Sequence, residues 1–120
     1  MNVVDPMAAA LRAVSSNPAN PATAVVHNTP AVRLVVFRIE PGQEVATHTS
    51  DGTVLLSVMS GTGTVRGGDD ESRQVGPGSL VAYAPGEMHS MKAEHERFCL
   101  LATIIRGPGD VGSPGAGRPA

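Results

Sequence analysis

Between residues 23 and 105 the chain alternates short apolar runs with polar punctuation. Runs rich in Val, Leu and Ile occupy residues 23–27, 31–39, 45–49, 53–59, 61–66, 72–75, 80–83, 87–92 and 98–105. Turn-forming residues separate them, among them Asn28-Thr29-Pro30, Pro41-Gly42, Asp51-Gly52, Gly76-Pro77-Gly78 and Pro85-Gly86. Such residues reach the backbone angles of tight turns at little cost, so each cluster predicts a reversal of the chain. Gly67-Gly68-Asp69-Asp70-Glu71 predicts a hairpin joining 61–66 to 72–75. About nine short strands at close, even spacing predict an all-β sandwich or barrel. In the run 31–39, Arg33 and Arg38 have opposite parity, which leaves its buried face open.

The period changes only near the start. Residues 6–14 predict one short helix, with Asp5 as its cap, Pro6 at the first helical position and alanines of high propensity behind. A helix this short holds only if docked, and Met7, Leu11 and Val14 are the candidate contacts. The predicted organisation is an arm and linker over 1–22, a barrel over 23–106 and a Gly/Pro-rich tail over 107–120. That tail lacks the apolar surface to offset the entropy of ordering.

Composition narrows the class. A chain of 120 residues is one domain's worth. Its 14 Gly and 10 Pro suit many tight turns, and Phe37, Phe98 and Tyr83 are the only aromatics. A core of branched aliphatics follows. A net charge of −2 and so few aromatics offer neither a basic field nor a stacking platform, which excludes the usual nucleic-acid chemistry. The single Cys99 cannot form an internal disulfide and lies in an apolar run, as a packed, inert thiol would. The run 98–105 is far shorter than a membrane span. Asp5 and Arg12 interrupt what a signal peptide would need, so the cytoplasm is the expected location.

Two histidines carry the candidate chemistry. His48 lies beyond Gly42 and before Gly61, and His89 follows Gly78 and the turn Pro85-Gly86. With these glycine frames, residues 30–106 resemble a small single-domain cupin, cupin_2-like. Gly42, His48 and Gly61 keep the spacing of that family's first motif. Gly78, Gly86 and His89 keep that of the second, with the proline one place along at Pro85. The resemblance implies a cupin jelly-roll β-barrel, often a homodimer, with the motif residues pointing inward. Three of its motif positions depart: Ser50 stands for a histidine, Val54 for the glutamate and Ala93 for the final asparagine. Of the metal ligands the resemblance implies, His48 and His89 remain, with Glu87 as a candidate third by shared parity with His89.

Two imidazoles and a carboxylate suit Fe, and imidazoles with water suit Ni, Cu or Zn; Mn is the further candidate. Ser50, Val54, Leu56, Met91 and Ala93 are the expected pocket lining. By strand parity, Ala46, Val54, Leu56, Val58 and Met91 form the wall around the histidines. The expected function is binding of a small molecule between His48 and His89 at a degraded metal site. The alternatives are a metal-dependent dioxygenase or isomerase, and metal-free proton transfer by either imidazole. His27 and His95 fall outside both motifs and read as surface residues.

Overall fold

Val, Leu and Ile alternate with polar residues over most of the chain, and the pleated strand is where such side chains pack best. A computed structural model describes residues 1–106; the proposed tail, 107–120, lies outside them. Among the described residues one helix, α1 (Pro6–Arg12), precedes nine strands. These are β1 (Ala22–Asn28), β2 (Val32–Ile39), β3 (Glu44–His48), β4 (Thr53–Ser60) and β5 (Gly63–Arg66). They continue with β6 (Ser72–Val75), β7 (Leu80–Tyr83), β8 (His89–Ala93) and β9 (Phe98–Ile105). One sheet has the order β1-β2-β9-β4-β7 and the other β3-β8-β5-β6. Every pairing is antiparallel.

The two sheets face each other over an aliphatic core in which Ile39, Leu56, Met91, Phe98 and Leu100 are buried. One end of the sandwich is packed shut. Phe98 fills it so closely that a Cβ on Gly63 would collide with the Phe98 ring, so only glycine fits there. The other end opens beside the histidines.

The four glycines that frame the histidines, Gly42, Gly61, Gly78 and Gly86, are the four with positive φ among the described residues. At Gly61 (φ 76°) a Cβ would also collide with the Arg97 carbonyl oxygen, so backbone angle and space both demand glycine. The same turns shorten two predicted strands. β5 begins at Gly63 rather than 61, and β8 at His89 rather than 87 because the Glu87 amide donates to the Ala84 carbonyl.

The open question of parity in β2 is resolved by using both faces. Val35, Phe37 and Ile39 join the inner core, whereas Val36 packs outward with Cys99, Ala9 and Ala10 beneath α1. The helix ends at Arg12, short of the expected 14, because Ala13 is an extended C-cap. Asp5 caps its start as expected, accepting from the Ala8 amide at 3.0 Å. Its contact face differs from the expectation: Ala9 and Ala10 are buried and Met7 packs beside them, but Leu11 and Val14 stay exposed. Small residues let the helix lie close to the sheet. The Arg38 Nη1 donates to the carbonyls of Ala10, Leu11 and Ala13 at 2.7, 3.1 and 2.9 Å and fixes that approach.

Candidate functional site

His48 ends β3 and His89 begins β8, and the two residues are register partners. Between that pair and the next, Val45 with Met91, β3 carries a bulge. The extra residue reverses the parity read backward from His48. Val45 therefore packs against the core, and Ala46, expected in the wall, is exposed.

The imidazoles lie with ring centres 4.2 Å apart and planes at 65°. His48 Nδ1 is 2.9 Å from the Ala46 carbonyl oxygen, and His89 Nδ1 is 2.9 Å from that of Glu87. A carbonyl only accepts, so in the neutral rings each Nδ1 carries the proton and each Nε2 keeps its lone pair. His48 is exposed at the rim, whereas His89 is 3% exposed. Burial pushes the His89 imidazole below its ordinary pKa. The Glu87 carbonyl opposes that shift, the neighbouring His48 adds to it, and the Glu87 charge opposes it. The neutral, accepting form is therefore favoured.

Behind His89 stands Tyr83, its ring stacked at 4.5 Å and 20°. The Tyr83 hydroxyl donates to the Arg66 carbonyl at 3.0 Å. Burial first, then the charges of Glu87 and Asp69, push its pKa up to about 12, so it stays a neutral donor.

Glu87 is placed differently from its expected role. Its carboxylate accepts from the Ala84 amide at 2.9 Å and, across the rim, from the Gly68 amide at 3.0 Å. Those two backbone hydrogen bonds hold its pKa below the ordinary value. Glu87 reaches His89 through its backbone carbonyl, and among the described residues no three His, Cys, Asp or Glu side chains come together. The donor set is thus two imidazoles, with Val54 and Ser50 beside them where further ligands would stand. It does not fit a tightly held ion, which asks for three or four protein ligands.

The histidines open on a cavity of about 350 Å³. Ser50, Val54, Leu56 and Met91 are among its lining residues. Ala93 is not: it lies at the far end of β8 opposite Gly63, within the packed core. Arg33 and Phe37 line the cavity from β2. Arg33 carried a signal, being a charge within an apolar strand, and Tyr83 is the only tyrosine. Neither signal says which way a side chain points. A larger cleft of about 480 Å³ runs along β6 and β7, lined by Asp69, Glu71 and Arg73 among others, and contains neither imidazole. His27 contacts Asn2 on the outer face and His95 is exposed in the turn before β9.

Residues 31–110 match the family described as "AraC-like ligand binding domain". Among solved structures, the chain is similar to an uncharacterized conserved protein with a double-stranded β-helix domain from Klebsiella pneumoniae. The TM-score is 0.77 at 23% identity, covering 90% of this chain and 92% of that one. A cupin superfamily protein from Desulfitobacterium hafniense aligns with a TM-score of 0.71 at 17% identity, over 89% and 94%. An RmlC-like cupin from Desulfovibrio desulfuricans aligns at 0.69 and 24%, over 79% and 91%. These likenesses show the cupin fold. No curated protein matches the sequence.

Proposed function

The chain belongs to the AraC-like ligand binding domain family, and from that premise we propose that it binds a small organic molecule in the cavity between His48 and His89. The observation that carries this reading is the pair of carbonyl-anchored imidazoles. With both Nδ1 protons directed at backbone oxygens, the remaining lone pairs are the free polar groups that the rings can offer a ligand. Val54, Leu56 and Met91 supply apolar wall. A mostly apolar cavity with a few fixed polar groups is the usual build of a small-molecule site. The matching chemistry is a compact apolar body carrying a hydrogen-bond donor. Binding is the reading the geometry supports: among the described residues no third His, Cys, Asp or Glu side chain joins the two imidazoles.

A thermal-shift screen of small metabolites tests it, run on metal-free and on metal-loaded protein. A ligand that raises Tm in the metal-free protein, and whose affinity falls about tenfold or more in His89→Ala, is the expected result. The absence of any stabilising compound in both preparations would sink the reading. A ligand that stabilises only metal-loaded protein would replace it with a metal-dependent one.

A further inference from the structure

Arg33 lines the same cavity, yet among the described residues no ion pair uses its charge. The five side-chain ion pairs among the described residues involve Arg38, Arg66, Arg73, Lys92 and Arg97. The Arg33 Nε is buried without a hydrogen-bond partner, alone among the side-chain nitrogens and oxygens of the described residues. Among the described residues no Asp or Glu lines the cavity. A covered, unpaired donor on a cation is costly, and folded chains seldom retain one without a use.

Register places this arginine level with the histidines. Arg33 pairs with Ile104, Ile104 with Val54, and Val54 with Tyr83. Arg33, Ile104, Val54 and Tyr83 thus form one row across β2, β9, β4 and β7, and all but Tyr83 line the cavity. Tyr83 is the residue stacked on His89. Neighbouring strands are about 4.8 Å apart, so the row from Arg33 to Val54 spans roughly 10 Å. That distance suits a molecule of a few carbons.

We propose that the cavity takes a small hydroxycarboxylic acid, its carboxylate on the Arg33 guanidinium and its hydroxyl donating to the imidazole side. This rests on the binding reading above and adds the charge of the ligand to it. The guanidinium is a planar fork matched to a carboxylate. The apolar wall between Arg33 and the histidines suits a short hydrocarbon linking the two polar groups.

The test is a panel of matched probes: lactate, 3-hydroxybutyrate and mandelate, each beside its neutral amide. Binding is measured by thermal shift and then calorimetry on wild type, Arg33→Met and Arg33→Lys. At least one acid is expected to bind better than its amide, to lose about tenfold or more in Arg33→Met, and to recover part of that in Arg33→Lys. Without ligand, Arg33→Met is expected to melt higher by about 4 °C, since the unpaired donor is gone while an unbranched apolar chain reaching as far as the Nε position remains. Amides binding as well as acids, or acids binding Arg33→Met unchanged, would overturn the carboxylate assignment and leave the cavity as a neutral site. If no probe binds wild type while the metabolite screen gives only uncharged ligands, the assignment is likewise overturned. If that screen is empty too, the binding reading falls with it.

Discussion

Arg33 and Arg38 sit on the same strand and point to opposite faces of the same sheet. Arg38 is closed on itself structurally: Nη1 serves three carbonyls at the end of α1, and Nε donates to Glu40 at 3.1 Å. Glu40 also accepts from Arg97, and the Arg97 hydrogen bond is the largest cause of its lowered pKa, ahead of that from Arg38. Arg33 has none of this. One arginine is satisfied within the fold and the other faces a cavity with its Nε–H unpaired. The contrast shows how one residue type serves construction on the outer face and is left free for a ligand on the inner one.

The sharpest way to break the comparison is Arg38→Met. It leaves three helix-end carbonyls without their cation, and a loss of about 3 kcal/mol is expected in urea unfolding. A loss no larger than that of an exposed arginine would remove the constructive role. The effect is opposite in sign to the gain expected from Arg33→Met.

A pH series tests the inner face. The folded pKa of His89 lies below its ordinary value, chiefly through burial. Unfolded chains therefore bind a proton that the native state resists. Its contribution to stability is complete above about pH 6.5 and falls as pH drops from there through the lowered folded value. Urea midpoints measured from about pH 8 to about pH 5 should show this slope in wild type and a shallower one in His89→Ala. Equal slopes would mean that His89 protonates freely in the folded state.

The smallest effect belongs to Leu11→Ser. The side chain is half-exposed on α1, and a change within about 0.5 kcal/mol is expected in the same unfolding assay. A larger loss would mean that Leu11 is covered in solution.

The strands and the glycine frames were legible because their causes are local. A positive-φ turn needs glycine, and Gly42, Gly61, Gly78 and Gly86 announce themselves. His48 and His89 were legible for the same reason, through spacing to those turns. What depended on pairing was not. The bulge in β3 adds one residue that no period in 45–49 reveals, and it moved Ala46 out and Val45 in. Ala93 shares a strand with His89, but the sandwich is closed at that end by Phe98. Glu87 shares parity with His89 only if both lie in a strand; after the turn at Pro85-Gly86 the strand begins two positions later than the pattern suggests. The two arginines of β2 pointed opposite ways in the sequence because both faces of that strand are covered, one by the opposite sheet and one by α1. That coverage is a tertiary fact.

The stack of Tyr83 on His89 has a spectroscopic consequence. The chain has no tryptophan and one tyrosine, so emission excited beyond the phenylalanine absorption band comes from a single ring, held 4.5 Å from the buried imidazole. Protonating that imidazole, or seating a molecule against it, changes the surroundings of the protein's single tyrosine. The cavity therefore carries its own optical reporter, readable without a dye or a label.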